Sequence, residues 1–343
     1  MLAELENRKN FFLEKTPIET IYFGGGTPSL LSIAEINAFT QQIHNLFRVA
    51  NHAEITLEAN PDDLTESYLT ALKRHTSINR LSIGIQSFGE DDLRYMNRAH
   101  NAEEALQCIT LAQQMGFNNL SVDLIYGTPT LSNEQWRNNL QTVFKLNIPH
   151  LSCYALTLEK KTALSSAVLK QQKAAPLEEQ IAEQFGILLE EIKHNNYLQY
   201  EISNFCKIPH FAKHNTNYWK GVPYLGIGPG AHSYDTVARY WNIDNNARYV
   251  KNITENNTAY EQEVLSVTDC YNEYIMTSIR TIYGIDIQKI NATYGSIYFK
   301  HFQKEIAPFV SKKWVINTNN IFTLSDDGKL FCDYITERLF ITD

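Results

Sequence analysis

Five stretches of this 343-residue chain hold residues whose types and spacing could do chemistry. Gly24-Gly25-Gly26-Thr27-Pro28 follows an apolar run at residues 18–23. Glycines there allow close backbone approach, and their free N–H groups can hold a carboxylate or an amine-bearing ligand. The same string also reads as a plain tight turn. It lacks the G-x-G-x-x-G spacing of a dinucleotide cradle and the lysine of a P-loop. Glu58, just before Asn60-Pro61, is placed either to bind an amino group or a ribose, or to partner a helix N-terminus. Gln86 closes the string Ser82-Ile83-Gly84-Ile85-Gln86, where a polar residue ending an apolar strand needs a partner at the sheet end. Arg98, within Met96-Asn97-Arg98-Ala99-His100, reads in isolation as a solvated cation. Asp123 interrupts the apolar residues 120–125, and a buried carboxylate there requires pairing or hydrogen bonds.

The second half carries different chemistry. Cys206, His210 and His214 have a spacing that raises a metal hypothesis, but Pro209 breaks any helix through them and no fourth ligand is evident. Incidental grouping is the better reading. In His214-Asn215-Thr216-Asn217-Tyr218-Trp219 an imidazole beside two large aromatics could flank a flat cofactor, or could be a core histidine packed on rings. Residues 226–233, with Gly226, Gly228 and Gly230, form either a close-approach loop or a tight connection. The five cysteines, Cys108, Cys153, Cys206, Cys270 and Cys332, are odd in number and dispersed, a poor disulfide framework with no C-x-x-C pair. They read as small apolar groups of the interior.

These residues must be positioned by regular elements. Leu2, Leu5, Phe12 and Leu13 suggest an amphipathic helix over residues 1–14, closed by Pro17. Strands are expected at 18–23, 53–57, 80–86, 119–126 and 150–156. Helices are expected at 32–47, with a Ser32/Glu35 capping box, and at 65–73, 102–115 and 133–146. Strand and helix thus alternate at intervals of roughly 30 residues, the signature of a parallel sheet or barrel. Gly25, Glu58, Gln86, Asp123 and Tyr154 all follow strands, where a βα barrel assembles its site. A barrel is the favoured expectation and a doubly wound open sheet the alternative. Beyond residue 158 the pattern changes to an excursion at 160–175, a helix at 176–195 and a strand at 200–205. Renewed helix from 268, a hairpin at 313–324 around Asn317-Thr318-Asn319 and a helix at 327–340 suggest a winged-helix-like module. The expected domains are 1–165, a partial βα barrel, 166–260, its extension, and 261–343, the C-terminal module.

Composition narrows the function classes. Hydrophobic residues make up 43% and charged residues 20%, an ordinary globular balance. Thirty Lys and Arg against 38 Asp and Glu leave a net charge of −8, with no basic block to support nucleic-acid or anionic-membrane binding. No apolar run reaches the ~18 residues of a membrane span, and residues 1–9 carry no signal or transit pattern. The expected compartment is the cytoplasm.

Assembled, the motifs resemble a known family. Tyr22-Phe23-Gly24-Gly25-Gly26-Thr27-Pro28, Glu58-Ala59-Asn60-Pro61, Ser82-Ile83-Gly84-Ile85-Gln86-Ser87-Phe88 and Asp123-Leu124-Ile125-Tyr126-Gly127 are similar to radical S-adenosylmethionine proteins related to oxygen-independent coproporphyrinogen III oxidase. Tyr200-Glu201-Ile202-Ser203-Asn204-Phe205, His214-Asn215-x-x-Tyr218-Trp219 and Tyr224-Leu225-Gly226-x-Gly228-x-Gly230-Ala231-His232-Ser233 resemble its heme-chaperone branch. The resemblance implies S-adenosylmethionine contacts at Gly25, Gly26, Thr27 and Glu58, and a second set at Gln86, Arg98 and Asp123. It implies a partial barrel with an added C-terminal region, and heme as cargo for an unidentified accepting protein. His214, with Tyr218 and Trp219, is the first candidate for the heme site; Cys206, His210 and His232 are alternatives. Oxidative decarboxylation of coproporphyrinogen III is the second functional reading. Family members also carry a first strand and a C-x3-C-x2-C loop whose three thiolates hold a [4Fe–4S] cluster. This chain begins after the matching position and has no such spacing. The expectation is an N-terminally truncated sequence or a mis-called start, with a degenerate natural homologue as the alternative, and a barrel that lacks its first strand and exposes an edge.

Overall fold

The structure, a computed structural model, describes residues 1–12, 16–160, 162–255 and 257–342. Helix α1 (Leu2–Asn7) precedes strand β1 (Ile18–Phe23). The chain then alternates through α2 (Ile33–Leu46), β2 (Val49–Ala59), α3 (Glu66–His75), β3 (Arg80–Gln86), α4 (Glu90–Tyr95), α5 (Ala102–Gln114), β4 (Leu120–Tyr126), α6 (Asn133–Lys145) and β5 (His150–Ala155). Local chemistry sets several of these starts. Thr65 caps α3 by accepting the Tyr68 N–H, and full capping boxes open α5 (Asn101 with Glu104) and α6 (Ser132 with Gln135).

Helices α7 (Ala163–Leu169) and α8 (Glu178–His194) lead to β6 (Leu198–Glu201) and β7 (Asn204–Cys206). Seven strands form one sheet in the order β1-β2-β3-β4-β5-β7-β6. β2 to β5 pair in parallel, while β7 runs antiparallel to both β5 and β6. The first five strands lie side by side in chain order with no reversal, the arrangement of a partial βα barrel. A doubly wound sheet would reverse its strand order at a switch point.

The core of this sheet is apolar: Leu57, Leu81, Ile83, Ile85, Leu120, Val122, Leu124 and Leu151 are all fully buried. Each such side chain stabilises the fold by ~1.5–3 kcal/mol. Trp136 on α6 is buried as completely and donates Nε1–H to the Gln184 carbonyl at 2.9 Å. Polar satisfaction is equally local to this unit. Asp92, in the first turn of α4, accepts from the hydroxyls of Ser87 and Thr128 at 2.8 Å and of Thr130 at 2.5 Å.

The remaining elements are α9 (Lys213–Trp219), β8 (His232–Tyr234), β9 (Ala238–Asn242), α10 (Asn246–Thr254), β10 (Tyr260–Val264), α11 (Val267–Ile279), β11 (Ile285–Asp286), α12 (Ile287–Tyr294), α13 (Ser296–Ser311), β12 (Val315–Thr318), β13 (Ile321–Leu324), α14 (Asp326–Lys329) and α15 (Cys332–Leu339). β10, β9 and β8 make one antiparallel sheet and β11, β13 and β12 another. The second sheet, with the helices around it in chain order, has the helix–strand–helix–helix–hairpin sequence of a winged-helix-like module. The chain clusters into two compact units, one of Met1–Glu19, Ala38–Ala53 and Lys213–Asp343, the other of Thr20–Asn37 and Glu54–Ala212. Among the described residues no helix is long and apolar enough to cross a membrane.

Several elements differ from their sequence expectation. The first helix ends at Asn7 because Phe11 and Phe12 leave it for ring contacts with Tyr240 and Phe47, at 5.6 and 5.9 Å. The part of that expectation at Leu13 and Glu14 lies outside the described residues. The single strand expected at 200–205 is two strands. Glu201 accepts from the Ser203 N–H at 2.9 Å and from the Asn204 amide, which turns the chain between them. The excursion at 160–175 contains the short helix α7, and α4 was not foreseen.

Candidate functional site

The sheet brings three groups of candidate residues into defined geometry, two at strand ends and one around Asp123. Asp123 stands in the middle of β4 and does not follow the strand as expected, because the strand continues to Tyr126. At the end of β1, Gly25 and Gly26 adopt φ of +78° and +65°, a left-handed backbone that side chains disfavour. A side chain at Gly24 would collide with the Tyr22 ring and lie 3.1 Å from the Glu58 carboxyl carbon. The glycines therefore let Glu58 of β2 reach the turn. Its Oε2 accepts the Gly25 N–H at 3.0 Å and its Oε1 accepts the Tyr22 hydroxyl at 2.6 Å. Burial and the adjacent Glu58 charge push the Tyr22 hydroxyl up, so it stays protonated and donating. Thr27 follows, its carbonyl accepting the Leu30 N–H at 3.1 Å over the short turn Pro28–Leu30. Tyr22 was not singled out from sequence; its place two residues before the glycines, at i and i+2 along a strand, is the signal that was available.

Asp123 of β4 is shifted by its surroundings. Desolvation is the main cause, pushing its pKa up to about 6, and the Glu58 charge adds to it. Hydrogen bonds to Ser152 and Ser82 and the Arg80 charge work the other way. Tyr154 of β5 is likewise pushed up by burial and by Asp123. A carboxyl poised between its two protonation states beside phenols is a ready acceptor for ligand hydroxyls.

Gln86 and Arg98 meet over Gly84. The parallel ladder of β3 with β4 slips between Ile83 and Gln86, and Gln86 has φ of +66°. Arg98 Nη2 donates to Asn60 Oδ1 at 2.8 Å and to the Gly84 carbonyl at 3.3 Å. Its Nε is buried without a hydrogen-bond partner among the described residues, and burial lowers its pKa. The isolated reading of Arg98 as a solvated cation is thus corrected: it is held against the sheet end by a residue 38 positions away.

In the other unit, α9 places His214 and Tyr218 one helical turn apart, their rings at 4.9 Å edge to face and Nε2 3.2 Å from the phenol oxygen. Tyr218 in turn meets Tyr224 at 4.6 Å, and Tyr224 lies 6.3 Å from Tyr234. Burial lowers the His214 pKa to about 4, which leaves a neutral imidazole at neutral pH. Trp219 belongs elsewhere: its ring lies 4.7 Å beneath the Arg280 guanidinium, and its Nε1–H is buried without a partner among the described residues. His232 is exposed on β8. Cys206 is fully buried in β7 with its thiol pushed up to about 12 by burial, a poor source of thiolate.

Among the described residues no group of three or more His, Cys, Asp or Glu is placed to hold a metal ion. The same holds for a cluster: the cysteines are dispersed, and four of the five are buried singly. Among the described residues no thiolates are grouped to hold an iron–sulfur cluster.

Comparison with known proteins matches residues 3–143 to the radical SAM superfamily. The heme chaperone HemW of Bacillus subtilis is 30% identical over 91% of this chain and 83% of its own length. That of Haemophilus influenzae is 30% identical over 99% of this chain and 87% of its length. Among solved structures, coproporphyrinogen III oxidase (HemN) of Escherichia coli superposes with a TM-score of 0.84 over 98% of this chain and 81% of that one, at 21% identity. That likeness establishes the curled half-barrel sheet as a radical SAM fold. Carried by the relatives' identity across most of both lengths, the conclusion is that the chain belongs to the HemW family of radical SAM proteins.

Proposed function

We propose that this protein is a heme chaperone, binding heme and passing it to an accepting protein in the cytoplasm. The observation that carries the reading is the family relationship over nearly the whole chain to proteins named heme chaperones. The α9 cluster supports it. Heme iron takes an axial donor and its macrocycle takes aromatic walls. His214 supplies a neutral imidazole, and Tyr218 and Tyr224 supply rings. Trp219, on the Arg280 side, contributes to the helix's packing rather than to this cluster.

The second ligand is S-adenosylmethionine. The Gly25 and Gly26 backbone with Thr27 receives its methionine end, and Glu58, steadied by Tyr22, accepts an ammonium or hydroxyl donor. Gln86, Arg98 and Asp123 form the second set of nucleotide contacts, offering an amide, a guanidinium and a carboxyl. A [4Fe–4S] cluster held beside the nucleoside would supply one-electron chemistry, and no thiolates among the described residues are grouped to hold one. The described residues here bind and orient the nucleoside only.

Heme titration followed by absorption tests the proposal. The wild-type chain should give a saturable Soret band, and His214→Ala should weaken binding about tenfold or more and alter the spectrum while S-adenosylmethionine affinity stays unchanged. An unaltered titration would remove His214 as the ligand. Absence of saturable heme binding in the wild type, or turnover of coproporphyrinogen III, would overturn the chaperone reading.

A further inference from the structure

The end of β3 holds a turn that the ligand contacts alone do not account for. The Ser87 N–H donates to the Ile85 carbonyl at 2.8 Å, closing a three-residue ring around Gln86 at φ +66°. An i to i+2 hydrogen bond around a residue of positive φ is the strained form of γ-turn, and glutamine has a Cβ that resists it. Such a conformation persists only where the surroundings over-determine it.

His100 is the surrounding group that does so. It is 3% exposed, and its Nε2 lies 3.0 Å from the same Ile85 oxygen. A carbonyl only accepts, so Nε2 carries the proton and Ile85 accepts two N–H donors, filling both lone pairs. Nδ1 is buried with no hydrogen-bond partner among the described residues, and burial lowers the ring's pKa, both consistent with a neutral Nε2–H tautomer. The imidazole is itself anchored: the next residue, Asn101, opens α5 with a capping box, and the Ala102 N–H is held by Glu90 at 2.8 Å. The turn carries the Gln86 amide back over Gly84, to a point 2.9 Å from where a Gly84 side chain would begin, with Arg98 Nη2 at 3.5 Å from the same point.

We propose that His100 is a positioning residue for ligand binding. By donating to the Ile85 carbonyl it holds the left-handed turn at Gln86, and the turn presents the Gln86 amide beside the Arg98 guanidinium as one polar face. That face suits a nucleoside carrying a carboxylate, and the inference rests on the reading of Gln86 and Arg98 as nucleotide contacts.

The test uses the full chain with S-adenosylmethionine as the probe. His100→Leu keeps bulk and removes the donor, and His100→Gln returns an N–H near the Nε2 position. Leucine should raise hydrogen–deuterium exchange at the Ser87 amide about tenfold or more while Leu81 and Ile83 stay protected. It should weaken S-adenosylmethionine binding by a similar factor, and glutamine should restore both. If leucine unfolds the chain, His100→Met takes its place in the same comparison. Unchanged Ser87 exchange in the donor-less variant overturns the proposal, as does uniform loss of protection along β3 that glutamine fails to rescue. Arg98→Ala separates the underlying reading. If it leaves S-adenosylmethionine binding intact, the nucleotide assignment fails, and Ser87 exchange alone then decides whether His100 holds the turn.

Discussion

Replacing Gly84 by alanine separates the binding face from the fold. The new Cβ would lie 2.9 Å from Gln86 Nε2, 3.5 Å from Arg98 Nη2 and 3.9 Å from the Ala59 carbonyl. Against an ordinary contact of ~3.5 Å the Gln86 amide must retreat by ~0.6 Å, while the backbone neighbour needs no movement. The displaced group is the free end of a flexible side chain, so the steric cost to folding is small. Removing a glycine from a strand interior offsets it by ~0.5–1 kcal/mol. Net stability should stay within ~1 kcal/mol of wild type. Binding should not: misplacing one or two hydrogen bonds of ~1.5 kcal/mol each weakens affinity about 10- to 100-fold. Calorimetric titration with S-adenosylmethionine beside urea denaturation of the same preparation measures both quantities. Unchanged affinity and stoichiometry would refute the placement of Gln86 and Arg98 at the ligand. A stability loss above ~2 kcal/mol would show that the backbone gave way instead of the side chains.

Tyr22→Phe removes the hydroxyl that Glu58 accepts at 2.6 Å. At this half-open position the bond is worth ~1 kcal/mol, so S-adenosylmethionine should bind about fivefold more weakly with little change in melting temperature. An unaltered Kd in titration sinks that role. Asp123, with a folded pKa raised to about 6, binds its proton more tightly in the folded than in the unfolded chain. Stability should therefore fall as pH rises from the ordinary carboxylate value of 3.8 through about 6 and then level off, and Asp123→Asn should flatten that part of the profile. Parallel urea-midpoint profiles for the two proteins across that window would contradict the assignment. Trp136→Ala should cost ~3–5 kcal/mol from the lost packing and cavity, whereas Trp136→Phe, which keeps most of the packing and loses the indole N–H bond to the Gln184 carbonyl, should cost ~1–2 kcal/mol. Equal denaturant midpoints for the two variants would show that the indole hydrogen bond, and not the packing, dominates.

Much of this protein was determined by sequence alone, wherever the deciding interactions lie within a turn or two of chain. The strand at 80–86 has the expected bounds, and the helices opening at Ala102 and Asn133 start where Asn101 with Glu104 and Ser132 with Gln135 form their boxes. Apolar periodicity and capping are short-range, so the βα alternation and the places of Gly25, Glu58 and Gln86 at strand ends could be read directly, whereas Asp123 stands in the middle of β4. Tertiary structure alone decided the partners. Arg98 reads as a surface cation until strand register brings Asn60 to its guanidinium, and Tyr22 is unremarked until β2 lies beside β1 and Glu58 takes its hydroxyl. Likewise α1 stops at Asn7 because Phe11 packs on Tyr240, more than two hundred residues along the chain, and Trp219 faces Arg280 instead of joining His214. A residue's type states which bonds it needs. Which group supplies them depends on chain separations that only the closed, registered fold removes.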